Sequence, residues 1–283
     1  MIALSVLAKA MARLWGRDVM LFTGGVSFFA MLAIFPALAI AMGAYSLFLD
    51  PTTAAAQAER MAAILPDAAR LIFQSELLRL SEAPQLSMSF QSGLALVIGA
   101  YAAHRGFKAL LAGLSFIHDE DRPRGFVGFN LLALAVLVAA FALLGALSVA
   151  FLVFRVIGET FELRPFQGVL WLYSEWTWAS VGMTLAMSLV YRWAMSREPV
   201  DWRASLLGGA SAAGLCILAS WALGVYVDQI AQLGATYGSV ATVVVFLIWL
   251  SWNVNALFFG GALATEVELA LDSRSPALPP ARP

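Results

Sequence analysis

Three basic side chains stand close together in the stretch YAAHRGFKALL, residues 101–111, which is otherwise mostly apolar. Arginine and lysine bind phosphate and carboxylate groups through charge-assisted hydrogen bonds, and a protonated histidine can join them. His104, Arg105 and Lys108 are therefore candidates for binding an anionic group. Whether they do so depends on where the surrounding apolar segment lies.

Polar residues also interrupt other apolar runs, and four of them are candidates for binding a substrate or an ion: Glu175, Tyr237, Asn253 and Asn255. Glu175, in WLYSEWTWAS, is either a proton or cation site facing a cavity or a carboxylate that reaches water among interfacial tryptophans. Residues two apart on a helix point about 200° apart, so Asn253 and Asn255 cannot face one partner. We expect one asparagine to make an interhelical hydrogen bond and the other to line a polar cavity.

The sequence has few residues that could carry out hydrolysis, bind a metal ion or bind a nucleotide. The two histidines, His104 and His118, do not form a metal-binding pair, and HDED at 118–121 is typical of a solvated turn. No Walker sequence and no G-x-S-x-G elbow occur, and a net charge of −1 disfavours nucleic acid. We therefore predict no catalytic residue, no metal site, no cofactor, no nucleic-acid partner and no enzymatic activity.

The composition indicates the class of protein that positions these residues. Of the 283 residues, 61% are hydrophobic and 12% are charged, and the mean hydropathy is +0.82. A soluble domain is about half apolar and about a quarter charged. The apolar excess is expected to face lipid, so the sequence predicts an all-α integral membrane protein.

Six segments are apolar enough to cross a bilayer, which takes about 20 residues. They are Gly25–Leu49, Met88–Ser115, Phe126–Phe154, Val169–Trp193, Ser205–Val227 and Val240–Ala264. With this assignment, twelve of the seventeen lysines and arginines fall on the side that carries both termini. Because cytoplasmic loops are enriched in these residues, both termini are predicted to be cytoplasmic.

The segments around the spans complete the predicted organisation. Residues 1–24 read as an amphipathic interfacial segment, in which Lys9, Arg13 and Arg17 form a stripe at four-residue spacing. Residues 25–271 are the six-helix transmembrane domain, with an outside loop at 50–87 that reads as two short helices. Residues 272–283 are proline-rich and are expected to be a disordered cytoplasmic tail.

Two positions are open for the basic stretch within this arrangement. If the second span runs from Gly93 to Ile117, Arg105 falls at its midpoint, where a charge is most costly. If the span starts near Met88, Arg105 and Lys108 reach the cytoplasmic surface with their long side chains. The membrane cost favours the second position, which predicts that anionic lipid headgroups bind at the inner rim.

Small residues predict where helices pack closely. Leu206–Gly214 has small residues at four-residue spacing, which lets helices approach each other in lipid. Pro36 lies inside the first span, where it frees a backbone carbonyl and is expected to bend the helix. The predicted packing positions are Pro36, Gly209, Ala213, Gly214, Gly260 and Gly261.

The last span and three other stretches resemble the YihY/BrkB family. The last span and its lead-in, ATYGSVATVVVFLIWLSWNVNALFFGGALATEVE, have the T-Y-G-S turn, a tryptophan-bearing helix and the terminal G-A-x-x-x-E. GGVSFFAMLAIFPALAIAMG, YAAHRGFKALLAGL and EPVDWRASLLGGASAAG agree with the family in the same order. Phe28 and Phe29 depart from it, since the family often has tyrosine in the first helix.

The resemblance implies a six-helix inner-membrane protein of bacteria and leaves the substrate open. The family has carried a ribonuclease label, but this sequence lacks the general base, metal cluster or basic groove that RNA cleavage needs.

Two functional hypotheses follow from these observations. The first is a transporter, not driven by ATP, or a lipid- or solute-handling protein, and the second is a non-enzymatic scaffold or envelope assembly factor. The expected partners are membrane lipids, and an oligomer is compatible with the sequence.

Overall fold

The computed structural model describes residues 2–15, 19–48, 90–119, 125–160, 174–196, 198–229 and 241–273. These ranges contain seven α-helices and no β-strand. The helices are α1 (Ile2–Trp15), α2 (Met20–Phe48), α3 (Phe90–His118), α4 (Phe126–Thr160), α5 (Glu175–Ala194), α6 (Trp202–Gln229) and α7 (Ala241–Asp272). The predicted outside loop, Tyr237 and all but the start of the predicted tail lie outside the described residues.

Three of these helices are long and apolar enough to cross a membrane. Their candidate spans are Phe126–Phe151 in α4, Trp202–Tyr226 in α6 and Val243–Asp272 in α7. A fourth arises if α1 and the first part of α2 are taken together as one broken span. The described residues thus give an all-helical protein with three or four candidate spans.

The chain divides into two compact units. The first unit contains residues 1–19, 111–214 and 256–283, and the second contains residues 20–110 and 215–255. In both units the helices pack through glycines and through hydrogen bonds between helices.

In the second unit, α2 packs closely against α3 through glycines. A Cβ on Gly106 would lie 3.3 Å from the Cβ of Phe29, and a Cβ on Gly99 would overlap the ring of Pro36. Residue numbers rise along α2 while they fall along α3, so the two helices are antiparallel. Only glycine lets the α3 backbone come this near to the proline ring within the helix.

The opposite side of α2 packs against α7 in the same unit. The hydroxyl of Thr23 donates a hydrogen bond to Asn255 Oδ1 over 3.0 Å, and Ser251 and Ser27 approach to 3.4 Å between their hydroxyl oxygens. Beyond this polar part the contact is apolar and consists of Phe246 and Leu250 against Ala30, Met31 and Ile34. This contact is antiparallel too, so α2 lies between α3 and α7.

In the first unit, α6 and α7 cross at two glycines. A Cβ on Gly208 would lie 2.6 Å from the carbonyl oxygen of Gly260, and the reverse distance is also 2.6 Å. The buried Tyr191 of α5 closes the same junction, because its hydroxyl donates a hydrogen bond of 2.7 Å to the carbonyl of Leu257. The crossing therefore depends on backbone approaching backbone.

The neighbouring glycines of the predicted packing set also touch other helices of the first unit. A Cβ on Gly209 would overlap the hydroxyl of Ser188 in α5, and one on Gly261 would lie 2.5 Å from a methyl group of Leu114 in α3. Ala213 is buried. Gly214 differs, because no atom of the described residues lies within 4 Å of an added Cβ.

Gly260 and Gly214 give a matched pair of substitutions. We expect Gly260→Ala to lower the free energy of unfolding by about 1–3 kcal/mol, since the added methyl group meets the Gly208 carbonyl. Gly214→Ala should be neutral or slightly stabilising, because alanine favours helix by about 0.5–1 kcal/mol over glycine. Thermal unfolding of the two variants in detergent measures the difference. Equal melting temperatures would contradict the close crossing.

Candidate functional site

The predicted basic stretch lies on α3, in the second unit. The helix is continuous from Phe90 to His118, so Arg105 is close to its middle. The guanidinium carbon of Arg105 lies 5.7 Å from the ring centroid of Tyr101 and 5.9 Å from that of Phe29 on α2. The side chain of Arg105 is exposed, whereas His104 and Lys108 are half-buried.

The two aromatic rings favour one position for the Arg105 side chain. A cation over a ring face is attracted by the negative charge of that face, by about 0.5–1 kcal/mol at an exposed site. The face of a phenylalanine ring such as that of Phe29 binds a cation without a hydroxyl. The guanidinium is thus held by contacts that use none of its N–H donors, which are the groups that bind an anion. Lys108 follows one helical turn later.

The two asparagines of α7 have different partners in the second unit. Asn255 makes the interhelical contact with Thr23. The amide nitrogen of Asn253 instead donates a hydrogen bond of 2.8 Å to the carbonyl of Trp249, one turn earlier on its own helix. The carbonyl of Asn253 in turn lies 3.7 Å from the thiol of Cys216 on α6. The angle between the two positions explains why the side chain of Asn255 joins two helices and that of Asn253 does not.

The structure gives less about the two remaining candidates. Glu175 is the first residue of α5, but its side chain lies outside the described residues, as does Tyr237 entirely. His104, Arg105 and Lys108 are thus neighbours on α3, whereas Asn253 and Asn255 lie on different sides of α7. The roles of Glu175 and Tyr237 stay predictions.

The first unit has a polar cluster that the sequence did not predict, formed by Arg13, Ile117, Asp119 and Glu266. Arg13 Nε donates a hydrogen bond of 2.8 Å to Glu266 Oε1, and Arg13 Nη2 lies 2.7 Å from the same oxygen. Its Nη1 donates to the carbonyl of Ile117 at 2.9 Å and to Asp119 Oδ2 at 2.7 Å. Arg13 and Glu266 are 13% and 10% exposed, so this ion pair is largely shielded from solvent.

The geometry of this Arg13 cluster also explains how α3 ends. Asp119 has a φ of 60°, the left-handed conformation that commonly follows the last turn of a helix. Arg13 then binds a carbonyl of that last turn, which has no partner within the helix. A cation at a helix C-terminus is favoured by the helix dipole as well.

Histidine and carboxylate side chains extend this polar region. His118 Nδ1 lies 3.0 Å from Thr265 Oγ1, and its Nε2 lies 3.9 Å from Glu268. Thr265 donates a hydrogen bond to the carbonyl of Gly261, so its oxygen can accept one from an Nδ1–H of His118. Glu268 accepts the backbone N–H of Asp201, immediately before α6, over 3.2 Å. These bonds fix the ends of α3, α6 and α7 within the first unit.

A sequence signal for the Arg13 cluster existed but had two interpretations. Arg13 belongs to the four-residue stripe with Lys9 and Arg17, which equally suits lipid headgroups. Glu266 ends the apolar run of α7, and a shielded carboxylate needs a cation. Their separation of 253 residues left no local pattern that pairs them. Within the described ranges, no three His, Cys, Asp or Glu side chains are grouped to hold a metal ion.

The comparisons with known proteins identify the family. A family model described as virulence factor BrkB matches residues 10–283. The chain belongs to the BrkB family. Over 165 residues it is 33% identical to a UPF0761 membrane protein of Alkalilimnicola ehrlichii, an alignment that covers 57% of this chain and 36% of that relative. No solved structure matches the chain. Family and apolar helices together make this BrkB chain a membrane protein.

The Thr23–Asn255 contact can be tested with a double-mutant cycle. Thr23→Val and Asn255→Ala should be coupled by about 0.5–1.5 kcal/mol in unfolding free energy, the range for interhelical hydrogen bonds in lipid. The matched control pairs Thr23→Val with Asn253→Ala, because Asn253 bonds to its own helix. These two changes should add. Coupling that is the same in both cycles would show that the Thr23–Asn255 bond is not the cause.

Proposed function

We propose that this BrkB-family protein is a non-ATP-driven transporter or lipid-handling protein of the bacterial inner membrane, acting on a molecule with an anionic group. Arg105, supported by His104 and Lys108, binds that group. Glu175, Tyr237, Asn253 and Asn255 are the further candidates for lining its path. The protein has no enzymatic role in this proposal.

The observation that carries the proposal is the position of Arg105. An exposed guanidinium lies near the middle of a long helix and is held by two aromatic rings. At the inner rim of the predicted span, the long side chain of Arg105 reaches the headgroup region, where it can meet an anionic group. Phosphate and carboxylate groups fit the planar donors of arginine, so an anionic lipid headgroup or an anionic solute suits the site.

The proposed architecture has six spans between residues 25 and 271 and both termini in the cytoplasm. The three candidate spans of α4, α6 and α7 are a part of this set. The predicted spans within α2, α3 and α5 complete it. The distribution of lysine and arginine supports the orientation, since twelve of seventeen fall on the side of the termini. The interfacial N-terminal segment, the helical outside loop at 50–87 and the cytoplasmic tail belong to the same proposal.

Reconstituted flux tests the function. Purified protein in phosphatidylglycerol and phosphatidylethanolamine liposomes should speed the movement of a fluorescent phosphatidylglycerol, or of a small organic anion, above the rate in protein-free liposomes. Arg105→Gln should lower that rate about tenfold, the loss expected for one charge-assisted hydrogen bond. The rate of Arg105→Lys should lie between those of the unchanged protein and Arg105→Gln, because lysine keeps the charge but not the planar donors.

Arg203→Gln is the matched control, since Arg203 is also exposed but lies at the start of α6 with its backbone bonded to Asp201. It should leave the flux unchanged. Flux equal to that of protein-free liposomes for every labelled anion would contradict the proposal and favour the scaffold hypothesis. Equal losses in both variants would remove Arg105 from the site.

Cysteine labelling tests the orientation. In a Cys216→Ala background, a membrane-impermeant maleimide added to spheroplasts should label Ser81→Cys in the predicted outside loop. Ser273→Cys, just after α7, should react only after the membrane is permeabilised. The reverse pattern would invert the proposed topology.

A further inference from the structure

One face of α1 carries an exposed apolar stripe. Leu4, Leu7, Met11 and Trp15 recur at intervals of three and four residues, so they lie along one side of the helix. Leu4 is 76% and Trp15 is 81% exposed, and the two residues between them are exposed as well. Four large apolar side chains in a row need a cover that the described residues do not supply.

Another face of α1 is bound to the protein. Ala10 is fully buried, and Arg13, one turn later, forms the ion pair with Glu266 and the bonds to Ile117 and Asp119. Lys9, one turn before Arg13, is exposed and lies on the side of the helix away from the apolar stripe. Lys9 and Arg13 therefore do not act alike, because Arg13 is directed into the protein.

The length of chain after α1 limits what can cover the apolar stripe. Trp15 and Met20 are five residues apart, so their Cα atoms lie within about 18 Å of each other. Met20 begins the strongly apolar helix α2, the first span of the proposed architecture. In the proposed architecture, the Trp15 end of the stripe therefore lies near the membrane surface, where about 5–10 Å of the headgroup and acyl boundary can receive an amphipathic helix.

Aromatic residues mark the same boundary elsewhere in the first unit. The candidate spans of α4 and α6 begin at Phe126 and Trp202, which are both exposed. Trp193, at the end of α5, is exposed and packs edge to face against Trp202 with ring centroids 5.7 Å apart. Tryptophan is enriched at the membrane–water interface, and Trp15 ends the α1 stripe in the same way.

We propose that α1 is a lipid-contacting helix that lies in the membrane interface with Leu4, Leu7, Met11 and Trp15 in the lipid, and that Arg13 latches it to Glu266. This rests on the interfacial N-terminal segment of the proposed architecture and does not depend on transport. The latch joins α1 to the ends of α3 and α7, so the seating of α1 in lipid and the position of those ends are coupled. The partner is the lipid surface itself.

Spin labelling of the full chain tests both parts. In a Cys216→Ala background, nitroxides are placed at position 7 or 11 on the stripe and at position 9 or 12 on the other sides, in nanodiscs of phosphatidylglycerol and phosphatidylethanolamine. Labels at 7 and 11 should be accessible to oxygen and several-fold less accessible to a water-soluble nickel chelate. Labels at 9 and 12 should show the reverse preference.

The latch is tested by the mobility of the label at position 12. Glu266→Gln and Arg13→Gln should each increase that mobility several-fold, because either change breaks the ion pair. Glu268→Gln is the matched control, since it lies one half-turn further on α7 without a bond to Arg13, and it should leave the mobility unchanged. A label at Leu207, an exposed position of α6, should have the same mobility in every variant and reports that the fold is intact.

Several outcomes would overturn the proposal. Oxygen access at all four positions would mean that α1 is inserted as the first part of a broken span. Nickel access at all four would place the stripe in water, and access of neither reagent at 7 and 11 would mean that protein covers it. If Glu266→Gln leaves the label as immobile as Glu268→Gln does, Arg13 is not the latch. Loss of flux with unchanged labelling would instead concern the Arg105 site alone.

Discussion

The need to satisfy polar atoms inside an apolar chain governs how these helices are arranged. A hydroxyl or amide that leaves water for an apolar environment without a partner loses several kilocalories per mole. Several side chains of the described residues meet this need, in two ways. Ser188 and Asn253 bond back to a carbonyl of their own helix, whereas Thr23, Tyr191 and Arg13 bond to another helix.

Only the second kind of bond fixes where a helix lies relative to its neighbours. A side chain that bonds one turn back satisfies itself wherever its helix is placed. The hydrogen bond from Tyr191 to the carbonyl of Leu257 forms at only one placement of α5 against α7. This bond lies beside the Gly208–Gly260 crossing, where the two backbones approach each other. Within the second unit, the Thr23–Asn255 bond fixes the register of α2 against α7 in the same way. Hydrogen bonds between helices thus determine the register of the packed helices, and small residues allow the short distance between them.

The sequence predicted the helical membrane class, because composition and apolar run length act on a whole segment at once. It also predicted that Asn253 and Asn255 could not share a partner, since that follows from helix geometry alone. It did not separate Gly214 from Gly260, because identical spacing does not say which glycine meets a backbone. It did not pair Arg13 with Glu266 either, since their contact exists only after α1 and α7 have packed. The properties of a single helix can be predicted from its own sequence, but the contacts between two helices cannot.

Arg13 and Arg105 show how the same side chain serves two purposes in one chain. Arg13 donates its N–H groups to Glu266, Asp119 and the carbonyl of Ile117. Because it is also largely shielded from solvent, few of its donors can bind another molecule. Arg105 is exposed and is held by the faces of Tyr101 and Phe29, which engage the cation without accepting its N–H groups. An arginine that is positioned by rings keeps its donors for an anion, whereas an arginine that is positioned by carboxylates has already bound one. That difference, more than charge alone, is why Arg105 belongs to the proposed site and Arg13 to the framework around it.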